Sequence, residues 1–72
     1  MTTKAYRIIK RYTYSTELAS GFPTLESANK FNRRHLLKDE VFGPEGRVEE
    51  YDGVPFRDTD GRFQNENGQW VE

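Results

Sequence analysis

The sequence predicts a small single-domain α+β fold, ordered β-β-α-β-β, with one helix packed on one face of a short antiparallel sheet. Three observations carry this expectation. Residues 25–37 have helical periodicity behind a well-marked start, residues 4–22 have the alternation of strands, and residues 47–71 are short strand-like runs punctuated by glycine.

The first element follows from residues 4–14, which alternate and are rich in aromatic and β-branched types. Tyr6, Ile8, Tyr12 and Tyr14 share one face, with Lys10 interrupting it; Arg7, Ile9, Arg11 and Thr13 share the other. Such a strand is expected to be half-buried, aromatic inside and basic outside. Ser15 and Thr16 are an acceptable turn, and residues 17–22 read as the return strand with Leu18 and Phe22 facing in.

Pro23 has no N–H for a ladder and ends that strand. Thr24 then stands at the N-cap, and Glu26 falls in the first turn, where the helix dipole favours a carboxylate. At 100° per residue, Leu25, Ala28, Phe31, His35 and Leu36 fall within about 140° of arc, the width of a core-facing stripe. Lys30, Arg33, Arg34 and Lys38 point elsewhere, and Leu37 lies off the stripe.

Residues 43–46, Gly-Pro-Glu-Gly, read as a loop. Residues 47–51 form a strand with Val48 inward, Asp52-Gly53 is a two-residue turn signal, and residues 54–57 form a short return strand that Pro55 places at an edge. Asp60-Gly61 and Asn67-Gly68 are further turn signals, flanking residues 62–64 and 69–71. Residues 60–72 are expected either as a small meander or as an extended, mobile tail. The predicted core is Tyr6, Ile8, Leu18, Phe22, Leu25, Ala28, Phe31, Leu36, Val48 and Tyr51.

At 72 residues there is room for one core. Only 33% of residues are hydrophobic and 32% are charged, so five Phe, four Tyr and one Trp must supply much of the buried area. Without cysteine there is neither a disulfide framework nor a thiolate metal site, which suits a reducing compartment. No apolar run approaches the roughly 20 residues of a membrane span, and the first residues lack the apolar stretch of a signal peptide. The expected setting is cytoplasmic.

The net charge of −1 conceals an order. Residues 1–38 carry eight Lys or Arg and two Glu, a net +6, whereas residues 39–72 carry three Arg and ten acids, a net −7. Either the halves neutralise each other across the fold, as oppositely charged neighbouring strands do, or the surface is bipolar and steers charged partners.

No catalytic constellation is present. The one histidine, His35, lies on the apolar stripe and reads as a packing residue. Glu49 and Glu50 are adjacent in a strand and point to opposite faces. Residues 58–61 resemble the opening of a calcium loop, but the later ligands and closing Glu are missing. The chain is expected to be no enzyme and to need no cofactor or metal.

What remains is binding. Exposed aromatics beside arginine are the material of interface hot spots. Some of Tyr12, Tyr14, Phe42, Phe56 and Trp70 should be exposed, since so small a domain cannot cover them all. The expected contact residues are Arg7, Arg11, Lys30, Arg33, Arg34, Tyr12, Tyr14, Phe56 and Trp70. In size and make-up the chain resembles the small accessory proteins carried by bacteriophages and other mobile elements, and that resemblance implies one short sheet, one helix and action by binding a host protein. The expected function is therefore docking to a protein partner by a monomer or weak homodimer. The alternative is nucleic-acid binding, with basic groups of the helix and first strand on phosphates and tyrosines stacking on bases.

Overall fold

The computed structural model describes residues 3–58 and 60–71, with Lys38 described by its backbone alone; Met1, Thr2, Thr59 and Glu72 lie outside the described residues. The elements are β1 (Lys4–Lys10), β2 (Glu17–Phe22), α1 (Leu25–His35), β3 (Leu37–Asp39), β4 (Gly43–Pro44), β5 (Gly46–Asp52), β6 (Phe63–Gln64) and β7 (Trp70–Val71). Three strands form the main antiparallel sheet in the order β2-β1-β5, and β3-β4 and β6-β7 form two small two-stranded ladders. The expected α+β architecture is present, with additions.

β1 is central and its two sides are used differently. Its odd-numbered residues bond toward β5: Arg11 N–H donates to Glu45 O and Gly53 N–H to Thr3 O, both at 2.9 Å. The register between them is unbroken, from Lys4 opposite Asp52 to Lys10 opposite Gly46. The β2 side is irregular. Tyr6 faces Phe22 and Ile8 faces Ala19, so Ser20 and Gly21 together oppose Arg7. This is a bulge, and Gly21 takes it up at φ 84°, backbone that a side chain resists.

The helix begins where expected. The Thr24 hydroxyl accepts from Ser27 N–H at 3.0 Å and the Ser27 hydroxyl accepts from Thr24 N–H at 3.2 Å, a reciprocal cap that contributes about 1 kcal/mol. Its end is earlier than predicted. Leu36 is the C-cap, its N–H on Asn32 O, and its carbonyl accepts from Glu45 N–H at 2.6 Å. That bond draws the chain into β3, so Leu37 starts a strand and is exposed.

The core is Ile8, Ala19, Phe22 and Ala28, with Tyr6, Leu18, Phe31, Leu36 and Val48 packed around it. Two expected members lie elsewhere. Leu25 is 50% exposed in the first helical turn, and Tyr51 is half-buried outside the cluster, with the Arg7 guanidinium 5.4 Å from its ring centre. His35, the last helical residue, is exposed but packs on Phe31, the two rings tilted by 39° with their centres 4.7 Å apart. The helix instead buries Asn32, whose Nδ2 donates to Gly46 O at 2.6 Å and so joins the helix to the start of β5. The predicted basic face of β1 is corrected as well, since Ala5 and Ile9 are both fully buried.

Residues 54–57 are not a return strand against 47–51. β5 pairs with β1 over seven residues, more ladder than a tight Asp52-Gly53 hairpin would provide. The chain then crosses to the opposite edge of the sheet, where Phe56 N–H (2.8 Å) and Arg57 N–H (2.9 Å) both donate to Gly21 O. The Phe56 ring lies over Gly21, filling the space that a Cβ would need.

Arg57 fastens this strap. Its guanidinium carbon lies 3.9 Å from the Phe63 ring centre, 5.6 Å from those of Phe22 and Phe31, and 6.0 Å from that of Phe56. Nε donates to Ser20 O at 3.0 Å and Nη1 to Gly61 O at 3.3 Å. Burial draws its pKa down from the ordinary value, against an opposing pull from Glu17. The four rings take the place of a carboxylate, and Arg57 forms no ion pair among the described residues.

In the tail, β6 and β7 form a two-stranded antiparallel hairpin. Asn65 Oδ1 accepts from Asn67 N–H and Gln69 N–H, and Gly68 turns at φ 79° between β6 and β7. Phe63 stacks on Phe56 at 6.1 Å. Burial raises the Asp58 pKa, but hydrogen bonds from Arg62 and Asp60, with the Arg62 charge, outweigh it and hold the carboxyl below its usual range.

Candidate functional site

The predicted contact residues divide when placed in the fold. Several of the cations are consumed by carboxylates. Arg7 pairs with Glu49 at 2.5 Å and Arg34 with Asp60 at 2.7 Å, while Lys4 bonds Asp52 and lies 3.9 Å from Glu50. Asp52 thereby raises the Lys4 pKa. These pairs join the basic first half to the acidic second half, which is the neutralising arrangement of the two considered. Lys30 and Arg33 are exposed on the helix and form no ion pair among the described residues. Phe56 is half-buried in the strap, its ring packed over Gly21. Trp70 is 43% exposed in β7.

Arg11, Tyr12 and Tyr14 stay together, at the turn joining β1 to β2. β1 was expected to reach Tyr14 but stops at Lys10, because the Lys10 carbonyl is taken by Thr13, through its N–H at 3.2 Å and its hydroxyl at 2.8 Å. Lys10 N–H in turn donates to Thr16 O at 2.8 Å. Without Gly or Asn at positions 15 and 16, a two-residue turn is unfavourable, and a wider loop forms.

Closing this loop places Tyr12 at φ 67°. For a side chain as large as tyrosine, the left-handed region costs about 1–2 kcal/mol and persists only where neighbours enforce it. The enforcing contacts are present. Arg11 N–H bonds Glu45 O, the Arg11 guanidinium bonds Phe42 O, and Arg47 Nη1 bonds Thr13 O at 2.7 Å. Tyr12 is left 84% exposed and Tyr14 96% exposed.

Across from this loop stands the β3-β4 hairpin, where the sequence predicts the helix to run to Leu37 and a loop over residues 43–46. Asp39 Oδ1 accepts from Val41 N–H at 2.7 Å and Phe42 N–H at 3.3 Å, a side-chain turn that holds both residues outward. Val41 is 85% and Phe42 62% exposed. Between loop and hairpin lies a cleft of about 310 Å³, lined by Lys10, Arg11, Tyr12, Asp39, Phe42, Gly43, Pro44 and Glu45. It has aromatic walls and charges of both signs.

Sequence reasoning missed Lys10, Asp39, Val41, Pro44, Glu45 and Arg47 as members of this site. Only the fold brings residues 39–47 against 10–13, and Arg11 reaching Phe42 is the clearest single link. Among the described residues, no group of three or more His, Asp or Glu is placed to hold a metal ion, and no helix is long and apolar enough to cross a membrane. Residues 58–61 include Thr59, which is outside the described residues. The fold and the cleft together define a small α+β domain with an exposed aromatic end. No known protein family, curated protein or solved structure matches the chain.

Proposed function

We propose that this chain is a non-enzymatic, cytoplasmic binding module that docks to a protein partner through the cleft of Lys10, Arg11, Tyr12, Phe42 and Glu45. Its role is that of an accessory protein, of the kind that phages and other mobile elements carry. The observation that carries this reading is the pairing of a strained, 84% exposed Tyr12 with an outward-held Phe42 across one cleft. Fixed aromatics lose little conformational freedom on binding and make effective anchors.

A protein suits the site better than a nucleic acid. A phosphate backbone needs unneutralised cations in a row, whereas Arg7, Arg34 and Lys4 are already paired, and Asp39 and Glu45 stand beside Lys10 and Arg11. A mixed-sign rim around aromatic anchors is ordinary protein-interface chemistry.

Affinity capture from the source cells tests this with paired variants. The unmodified chain should recover one protein stoichiometrically and insensitively to nuclease. Tyr12→Gly combined with Phe42→Ser should reduce recovery at least tenfold while the fold persists, because glycine is at ease at φ 67°. Arg33→Glu should leave recovery unchanged. Capture that survives the double substitution, or that vanishes with nuclease, would reject the cleft or the class of partner respectively.

A further inference from the structure

The main sheet has one edge, β5, that pairs with no further strand among the described residues. Ladder bonds alternate along a strand, so the bonds from Arg11 to Glu45 and from Gly53 to Thr3 assign the odd-numbered residues of β5 to β1. The N–H and C=O groups of Val48, Glu50 and Asp52 therefore point away from the sheet. They have no hydrogen-bond partner among the described residues, whereas the Gly46 carbonyl is taken by Asn32. The opposite edge is treated differently, with Phe56 and Arg57 bonded to Gly21 on β2. An uncovered row of backbone donors and acceptors is a template for another strand.

The side chains along this edge select the occupant. Glu49 is neutralised by Arg7, and Arg47 is turned toward Thr13 O. Glu50 and Asp52, on one face of the strand, share a single cation, Lys4, and Glu50 also accepts from the Tyr6 hydroxyl at 3.3 Å. That leaves one uncompensated negative charge beside the free donors. Two-fold pairing with a second copy of β5 sets like charges face to face when centred on Glu49 or Glu50, and when centred on Val48 it places Glu50 opposite Gly46 with no cation, so a basic strand compensates this edge better than a second copy does.

We propose that the β5 edge from Arg47 to Gly53 receives an extended segment of a partner protein as a fourth strand, with a Lys or Arg of that segment facing Glu50 and Asp52. Main-chain bonds would supply affinity, and the unbalanced carboxylate would supply the preference for basic strands. This surface is separate from the cleft, and its occupation does not depend on the cleft binding anything.

The test uses the full chain, labelled for amide hydrogen exchange, with a capped heptapeptide of alternating valine and lysine as the probe and a valine–glutamate peptide as the control. At peptide concentrations on the order of 1 mM, the lysine peptide should slow exchange at Val48, Glu50 and Asp52 about tenfold, and the glutamate peptide should not. Glu50→Pro should abolish the protection while the fold remains, since that N–H takes no part in the bonding to β1. Glu50→Lys, which keeps the backbone donor, should reverse the preference between the two peptides. Equal protection by both peptides, protection by neither, or protection arising from self-association of the chain would each overturn the proposal.

Discussion

Replacing Arg57 with alanine is expected to lower the free energy of unfolding by about 2–4 kcal/mol, from lost cation–π contact with four rings and two hydrogen bonds of a charged donor. In a domain of this size that shifts the thermal midpoint down by roughly 10–30 °C. The effect is large because Arg57 is a shared fastening. Phe22 comes from β2, Phe31 from the helix, Phe56 from the strap and Phe63 from the tail hairpin, and all four meet on one guanidinium. Arg57→Lys should recover less than half of the loss, because an ammonium neither stacks flat nor reaches Ser20 O and Gly61 O together. Thermal unfolding followed by circular dichroism measures both. A change below about 0.5 kcal/mol in the alanine variant, the size typical of an ordinary surface site, would contradict this role.

Gly21→Ala should be nearly as costly, at about 2–4 kcal/mol. Two causes combine there. The backbone stands at φ 84°, which costs a residue with a Cβ about 1–2 kcal/mol, and the new methyl would overlap the Phe56 ring, with an overpacking cost of about 1–3 kcal/mol. Gly68→Ala separates the two. Gly68 has φ 79° but open space where its Cβ would lie, so it should show the backbone cost alone. Denaturant unfolding of both variants provides the comparison. Equal losses would mean that Phe56 yields freely and that the strap is not held against β2.

Much of the fold was legible because its signals are local. The Thr24 cap, the bounds of β2 and the Asn67-Gly68 turn each depend on residues within a few positions of one another. So does the helix start, where one hydroxyl and one carboxylate act on the nearest turn. Pairing was not legible in the same way. Asp52-Gly53 is a good turn sequence, yet β5 turned to β1, where seven residue pairs and the Arg7–Glu49 and Lys4–Asp52 contacts outweigh a short hairpin. The charge order foreshadowed that choice, since a basic strand near residue 7 and an acidic one near residue 49 attract.

The candidate site was half visible for the same reason. Arg11, Tyr12 and Tyr14 stand out as basic and aromatic neighbours in sequence. Phe42 and Glu45 join them only through the Arg11 bonds to Phe42 O and Glu45 O, across more than thirty residues. Asn32 escaped notice because periodicity weighs apolar residues, whereas this buried amide holds its place through the Nδ2 bond to Gly46 O, with its Oδ1 unpartnered among the described residues. Arg57 escaped because its four aromatic partners lie in four separate stretches.

Photo-crosslinking tests the central claim most directly, with a benzophenone amino acid placed in the full chain at position 12, at position 42 or at position 33 in the source cells. The account predicts one protein adduct of the same mass from positions 12 and 42, and none from position 33 on the helix. Adducts from position 33 alone, or adducts that nuclease removes, would place the contact on the basic helix face and contradict it.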